Sequence, residues 1–322
     1  MNNENLIEIQ DLQVHFPIKS GFLQKTIGEV KAVDDVSFDI KKNETIGLVG
    51  ESGCGKSTLG RAIVRLNEPC GGKIIYNDKN ILTAEGEDLE QIRKDMQMIF
   101  QDPYSSLNPR HSVKRMLTEV LTVLKGYTPS EANDRVSELM VQVGLNPVYA
   151  ERYPHEFSGG QRQRVAIARA LALEPKFIVC DEAVSALDVS IQSQIINLLT
   201  DLKEQYNITY LFISHALNVI EHISDKVVVM YLGAVMETAT TEELFSHPCH
   251  PYTKALLSAI PMLSGREKHE RIVLKGDVPS AAAVPSGCRF HTRCYMADER
   301  CKTEVPQMKD LGCGHCVACH KV

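Results

Sequence analysis

The sequence lacks long apolar runs and an excess of positive charge. Nowhere do about eighteen consecutive apolar residues occur, so no membrane-spanning helix is expected. The formal net charge of the 322 residues is −6, which offers little surface on which a phosphate polymer could dock and argues against a nucleic-acid-binding protein. No internal repeat or low-complexity tract is evident.

The first residues, Met-Asn-Asn-Glu-Asn, lack the charged and apolar regions of a signal peptide, so we expect the chain to stay in the cytosol. The composition is 43% hydrophobic and 24% charged, which is ordinary for one large domain with a smaller one. Ten cysteines are present, and six of them follow residue 287. In a reducing compartment such a cluster favours a metal or iron–sulfur site over disulfides.

The pattern of apolar residues predicts an α/β fold. Short alternating bursts in residues 5–49 predict strands, and Leu59, Ile63 and Leu66 are spaced to share one face of a helix. Strands alternate with a helix again over residues 177–225, and nearly all-apolar strands suit a sheet covered by helices on both faces. A polar, proline-punctuated insert at about 104–157 predicts helices.

One motif predicts a phosphate-binding loop. The run Gly50-Glu51-Ser52-Gly53-Cys54-Gly55-Lys56-Ser57 matches G-x-x-x-x-G-K-[ST] between a predicted strand and a predicted helix. The glycines let backbone N–H groups turn towards phosphate oxygens, and the helix N-terminus adds partial positive charge. Lys56 is expected to reach the β- and γ-phosphates and Ser57 to bind Mg²⁺, with Thr58 counted among the binding residues.

A second motif places two carboxylates at the end of an apolar strand. Residues 177–180 are Phe-Ile-Val-Cys, followed by Asp181 and Glu182. Asp181 can hold Mg²⁺ through a water, and Glu182 can polarise an attacking water. Strands often end in acidic residues simply because the chain re-enters solvent, so this motif gains its meaning from the phosphate loop that precedes it.

The third motif narrows the family. Ser158, Gly159, Gly160 and Gln161 form a serine cap and two glycines at the head of a predicted helix, which is a further anion site. This run resembles the signature sequence of the ABC-transporter nucleotide-binding domain family, with Phe157 where leucine is commoner. The resemblance covers roughly residues 5–240. It implies a P-loop ATPase fold with an antiparallel β subdomain, a helical subdomain at about 104–172 and ATP with Mg²⁺ as cofactors.

The family resemblance assigns further residues. It makes Gln101 the lid glutamine that senses Mg²⁺ and the attacking water, Asp188 part of the loop that links two ATPase subunits, and His215 the switch histidine at the γ-phosphate. Phe16, ahead of a predicted loop at 21–29, is our candidate for stacking on adenine, although burial in the sheet is an equal alternative. Ala216 replaces the usual aspartate after the histidine, which leaves the support of His215 open.

In this family two such domains pair head to tail, so that the signature serine of one faces the phosphate loop of the other. The resemblance therefore implies a second ABC ATPase subunit, expected as a heterodimer, together with two membrane permease subunits and an extracellular solute-binding protein. It places the chain peripherally on the cytoplasmic face of the cell membrane.

The tail resembles the C-terminal extension of the oligopeptide/dipeptide importer subfamily, which also includes nickel importers, most closely the second ATPase of such systems. The resemblance rests on His250-Pro251-Tyr252 and the residues after it. We assign residues 1–240 to the nucleotide-binding domain and 241–322 to this extension. Cys288, Cys294, Cys301 and Cys319 resemble the spacing in members that hold a [4Fe–4S] cluster. Zinc and unligated thiols stay open, and Cys313 and Cys316 could also supply ligands.

The sequence thus predicts an ATP-hydrolysing subunit that energises peptide import. Import of nickel or another small solute is the nearest alternative, and a subunit that binds ATP but hydrolyses little is another. A soluble ABC ATPase acting on DNA or ribosomes is disfavoured, because neither a long coiled-coil arm nor a second cassette is present.

Overall fold

The computed structural model describes residues 4–21, 24–260 and 271–322. Its strands are β1 (Asn5–Ser20), β2 (Lys25–Lys41), β3 (Thr45–Val49), β4 (Gly71–Tyr76), β5 (Lys79–Asn80), β6 (Met96–Ile99), β7 (Phe177–Asp181), β8 (Thr209–Ile213), β9 (Lys226–Tyr231), β10 (Ala234–Thr240), β11 (Lys309–Asp310) and β12 (Cys316–Val317).

The helices are α1 (Lys56–Ile63), α2 (Gly86–Asp95), α3 (Pro103–Ser106), α4 (Val113–Lys125), α5 (Pro129–Gln142), α6 (Gly159–Leu171), α7 (Val189–Tyr206), α8 (Leu217–Ile223), α9 (Thr241–Ser246), α10 (Pro251–Ser258) and α11 (Glu299–Thr303). The chain packs as two units. The first comprises the described residues of Met1–Thr83 and Ile213–Val322, and the second is Ala84–Phe212.

The first unit contains two sheets. One is antiparallel, with strand order β2-β1-β4-β5, and its long β1–β2 ladder pairs Asn5 with Lys41 at one end and Ser20 with Lys25 at the other. The second runs β11-β12-β10-β9-β3 within this unit, and β3 is parallel to β9. Every residue of β3 is buried, as its apolar sequence requires.

The second unit contains three neighbouring strands in the order β8-β7-β6, with β6 parallel to β7. All residues of β7 and β8 are buried. The helices α4, α5 and α6 pack together, and α5 begins with a capping box in which Thr128 and Glu131 satisfy each other's backbone N–H groups. The α/β fold with an antiparallel sheet, a helical region and a cysteine-rich extension is confirmed.

Two local predictions were wrong. Leu66 does not share the buried face of α1 with Leu59 and Ile63, because the helix ends at Ile63, Arg65 adopts a φ of 54°, and the Leu66 side chain is 57% exposed. The loop expected at 21–29 is shorter than that, since β2 starts at Lys25; residues 22 and 23 lie outside the described residues.

The predicted boundary at residue 240 stays a prediction. The structure groups residues after 240 with the first 83 residues, and β12 joins the sheet beside β10, where Val317 pairs with Glu237. The tail is therefore part of the sheet of its unit.

Candidate functional site

The loop from Gly50 to Gly55 joins β3 to α1 and depends on glycine at two positions. Gly50 and Gly55 have φ values of 152° and 104°. A Cβ on Gly50 would lie 2.2 Å from the Met230 carbonyl oxygen, and one on Gly55 would lie 2.0 Å from that of Ala32. Backbone atoms cannot move aside as a flexible side chain can, so a residue with a Cβ would not fit at either position of this loop.

Lys56 folds back over the loop. Its Nζ donates hydrogen bonds to the carbonyl oxygens of Gly50 at 2.8 Å and Glu51 at 3.0 Å, and the residue is 5% exposed. The loop's own carbonyl oxygens therefore hold the ammonium group at the loop, and such a group also binds phosphate oxygens. Ser57 and Thr58 lie in the first turn of α1 and are half-buried.

The remaining loop residues differ in exposure. Ser52 and Gly53 are exposed, so their backbone is accessible to a ligand. Cys54 is 3% exposed, and burial raises the pKa of its thiol, which makes the thiol unreactive.

Phe16 and His215 belong to the same unit as the phosphate loop. The Phe16 side chain is 43% exposed on β1, so it is not buried in the sheet and can offer a face to a ring. His215 is exposed between β8 and α8. The Ser214 hydroxyl accepts the Ala216 N–H at 3.0 Å, so a serine on the other side of the histidine orders this turn in the absence of the usual aspartate.

Gln101 and Glu182 meet in the second unit. The Gln101 Nε2 donates to the Glu182 Oε2 at 2.9 Å, although the two residues are 81 positions apart. Glu182 has a φ of 48°, an unfavourable left-handed value for a glutamate, directly after β7. Strain of this kind concentrates at functional positions. Asp181 precedes it with 2% exposure.

The signature residues form a helix cap. The Ser158 hydroxyl accepts the Gln161 N–H at 3.4 Å, and the Gln161 side chain accepts the Ser158 N–H at 3.0 Å. A Cβ on Gly160 would lie 2.4 Å from a methyl group of Ile191, so glycine here allows α6 to approach the start of α7. Ser158 and Gly159 are exposed, which leaves the N-terminus of a 13-residue helix accessible.

Asp188 caps α7. Its carboxylate accepts the Ile191 N–H at 3.0 Å and the Ser190 hydroxyl at 2.8 Å, and the bond from Ile191 holds the pKa of Asp188 below its ordinary value. The exposed cap fixes the position at which the predicted dimer loop leads into the helix.

The structure groups the four predicted cysteines. Cys288, Cys301 and Cys319 are buried, and Cys294 is half-buried. Burial raises the pKa of Cys288 to about 11, and the nearby Cys301, Cys294 and Cys319 act in the same direction. Cys288 also donates its N–H to the Cys301 carbonyl at 2.8 Å. Among the described residues, the side chains whose possible ligand atoms all lie within 4.8 Å of one another are instead Glu237, Cys249 and His315, so the four cysteines are neighbours without forming such a compact ligand set.

Backbone donors approach two of these sulfurs. The Met296 N–H lies 3.4 Å from the Cys294 Sγ, and the Lys321 N–H lies 3.4 Å from the Cys319 Sγ. Such donors stabilise negative charge on sulfur. Cys313 is exposed in a turn and Cys316 lies in β12.

Two features of the tail were missed from the sequence. Arg293 pairs with Glu51 of the phosphate loop, and the Tyr252 hydroxyl oxygen accepts the Glu51 N–H. In addition, the fully buried Glu237 accepts hydrogen bonds from His315 Nε2 at 2.7 Å and from the Cys249 N–H at 2.6 Å. The hydrogen bonds to Glu237 hold the tail against β10. Neither set of contacts corresponds to a short-range sequence pattern.

Comparison with known proteins identifies the family. Residues 33–185 match the model of the ABC transporter family, and residues 236–301 match that of the oligopeptide/dipeptide transporter C-terminal region. The chain is 53% identical to the oligopeptide transport ATP-binding protein AppF of Bacillus subtilis, and 46% identical to the dipeptide transport ATP-binding protein DppF of Haemophilus influenzae. Each alignment covers 99% of this chain and 98% of the relative.

Solved structures agree with the sequence relatives. The cbiO1 protein of Clostridium perfringens, part of the ABC transporter complex cbiONQ, has a TM-score of 0.65 at 26% identity, over 76% of this chain and 92% of that one. The dimeric cassette MJ0796 bound to ADP and Pi has a TM-score of 0.64 at 26% identity, over 73% and 98%. Among the helices of the described residues, none has the length and apolarity to cross a membrane. The chain belongs to the ABC transporter ATP-binding proteins, in their oligopeptide/dipeptide branch.

Proposed function

We propose that this chain binds Mg–ATP and hydrolyses it to energise the import of peptides through a membrane transporter. The observation that carries hydrolysis is the contact between Gln101 and Glu182, because it orients a carboxylate at the end of an apolar strand. Peptide as the cargo is supported by the names of the full-length relatives and by the match of the tail.

Each proposed residue has a defined task. Lys56 neutralises charge on the β- and γ-phosphates, and the glycine-rich backbone donates N–H groups to their oxygens. Mg²⁺, when bound, supplies a positive charge that offsets the charge developing on the phosphates, with Ser57 and Asp181 as the proposed holders. Phe16 is proposed to stack on the adenine.

Glu182 is proposed to accept a proton from the attacking water. The amide of Gln101 keeps the carboxylate oriented, and a carboxylate whose oxygen is fixed by a donor presents its other oxygen in one direction. His215 is proposed to stabilise charge at the γ-phosphate. The direction of attack is in line with the departing diphosphate.

Replacing Glu182 with glutamine tests this role. Glutamine keeps the size of the side chain but cannot act as a base, so we expect retained ATP binding and a loss of turnover on the order of a hundredfold or more. The measurement is steady-state hydrolysis in the assembled transporter beside nucleotide binding. Glu90→Gln, on exposed α2 of the same unit, is the matched control. Unchanged hydrolysis in Glu182→Gln would remove Glu182 from this role.

We also propose the partners. Ser158, Gly159, Gly160 and Gln161 are taken to bind the ATP of a second ATPase subunit in a heterodimer, with Asp188 in the linking loop. The exposed helix cap supports this, and MJ0796 is described as a dimer. Two permease subunits and an extracellular solute-binding protein complete the transporter at the cytoplasmic face of the membrane. Co-purification with hydrophobic subunits tests this assembly, and its failure would favour a soluble role.

Residues 1–240 are proposed as the nucleotide-binding domain, with the helical subdomain at about 104–172, and 241–322 as the extension. Which solute stimulates ATP hydrolysis of the reconstituted complex, with its binding protein present, distinguishes peptide from nickel. Single-turnover hydrolysis at each shared site distinguishes an active subunit from one that only binds ATP.

A [4Fe–4S] cluster on Cys288, Cys294, Cys301 and Cys319 is proposed as well, with zinc as the alternative. The grouping of these four thiols, with N–H donors near two of the sulfurs, supports it. We assign it a bracing role, since this part of the tail has few apolar side chains of its own to bury. Iron, sulfide and zinc analysis after anaerobic purification tests the proposal, and a folded tail without metal would refute it.

A further inference from the structure

Arg293, in the cysteine-rich tail, contacts the phosphate loop directly. Its Nη1 donates to the Glu51 Oε2 at 2.5 Å and its Nη2 to the Oε1 at 3.1 Å, across 242 positions of sequence. The Arg293 side chain is 8% exposed and that of Glu51 is 27% exposed, so water screens the pair only in part. A bidentate pair of this kind fixes the orientation of the carboxylate as well as its distance.

Tyr252 provides a second contact to the same loop residue. Its phenol oxygen accepts the backbone N–H of Glu51 at 2.8 Å. Tyr252 is fully buried in α10, and burial raises the pKa of its hydroxyl well above the ordinary value, so the group stays neutral. Both the side chain and the backbone of Glu51 are therefore held by residues that follow position 250.

Aromatic packing supports both contacts. Phe290 is fully buried and lies edge-on to Tyr231, with ring centroids 5.3 Å apart, and 5.2 Å from Tyr252. The Arg293 guanidinium lies 5.9 Å from the Tyr231 ring. The arginine thus approaches the loop from a packed aromatic surface that supports its position.

We propose that Arg293 is a positioning residue for ATP binding, acting through Glu51 to hold the phosphate loop in the conformation that binds nucleotide. This inference rests on the proposed function of the loop. A glycine-rich loop that is already ordered loses less conformational freedom when phosphate binds, so the affinity for nucleotide is higher. The tail then tunes the affinity of the ATP site while remaining outside its chemistry.

Arg289 is a matched control from the same segment. It lies four residues before Arg293, and it too forms a short, largely buried ion pair, from Nη2 to the Asp34 Oδ2 at 2.6 Å, with a further bond to the Leu232 carbonyl. Both acceptors lie outside the phosphate loop. A variant at Arg289 therefore loses a buried ion pair of the same tail without releasing Glu51.

The experiment is equilibrium binding of Mg–ATP to the purified full-length chain. Arg293→Ala is expected to raise the Kd about tenfold, an ordinary size for coupling between two sites. Arg289→Ala is expected to lower thermal stability while changing the Kd far less. Arg293→Lys is expected to recover part of the affinity, because one ammonium keeps the charge but not the bidentate geometry. In the assembled transporter, Arg293→Ala is expected to raise the KM for ATP while kcat changes little.

Equal Kd values for Arg293→Ala and the wild type, or equal increases in the two arginine variants, would overturn the proposal. If Arg293→Ala does not fold, Arg293→Lys decides the matter, since it keeps the positive charge but loses the bidentate geometry to Glu51. A raised Kd in that variant supports the proposal and an unchanged one refutes it. A wild-type chain that does not bind Mg–ATP would refute the proposed function instead.

Discussion

At the scale of single residues, burial keeps His250 neutral. The effect of this on the stability of the protein can be measured. The residue is 1% exposed at the start of α10, where its Nδ1 accepts the Tyr252 N–H at 3.0 Å and its own N–H is donated to Glu237. Burial lowers the pKa of His250 to about 4. Between about pH 6.5 and pH 4, His250 therefore binds a proton in the unfolded chain but not in the folded chain.

Because the pKa of His250 is lower in the folded chain than in the unfolded chain, the neutral histidine contributes fully to stability above about pH 6.5. This contribution is lost as the pH falls towards 4. It amounts to about 3 kcal/mol in the free energy of unfolding. His250→Asn keeps an acceptor for the cap but does not titrate, so the pH dependence of urea unfolding in this range should become shallower. His247→Asn, at an exposed position nearby, is the control. Parallel pH profiles for wild type and His250→Asn would contradict this account.

At the scale of elements, the cap of α6 has a structural and a functional role that can be separated. Ser158→Ala removes a hydroxyl that accepts a backbone N–H, which costs about 1 kcal/mol in the free energy of unfolding. Thr128→Ala removes the equivalent group from the capping box of α5, outside the signature residues, and should cost about the same. Only Ser158→Ala should also lose ATP hydrolysis in the assembled transporter. Equal hydrolysis in the two variants would reduce Ser158 to a helix cap.

Elements that follow from local pattern were predictable, and those set by packing were not. The strand at 45–49 was predicted from an alternating burst and that at 177–180 from an apolar run, and a helix was predicted within residues 177–225, where α7 lies. The end of α1 depends on the left-handed backbone conformation of Arg65, which the spacing of apolar residues does not predict. The outcome at Leu66 follows from that one dihedral angle.

At the scale of the whole molecule, some features of the site were predictable from local sequence and others depend on the fold. The proposed roles of Gly50 to Ser57 follow from a contiguous motif, because the chemistry needs neighbouring backbone groups. No local motif marks Arg293, because its proposed role depends on the pair that it forms with Glu51, 242 residues earlier. The four cysteines fall between these cases, as their spacing suggested a common ligand while only the fold brings Cys319 to the others.

The whole molecule also links the cysteine group to the ATP site. Cys288 and Cys294 bound the segment that carries Arg289 and Arg293, so we expect the proposed cysteine site to affect the position of the arginine that holds Glu51. Cys294→Ser removes one proposed ligand and should therefore lower the bound iron and raise the Kd for Mg–ATP about as much as Arg293→Ala does, roughly tenfold. Cys313→Ser, an exposed cysteine of the same tail, should change neither quantity. Metal analysis and equilibrium nucleotide binding on the same full-length preparations make the comparison. A Cys294→Ser chain that has lost its metal and binds ATP as tightly as the wild type would show that the phosphate loop is held without help from the cysteine group.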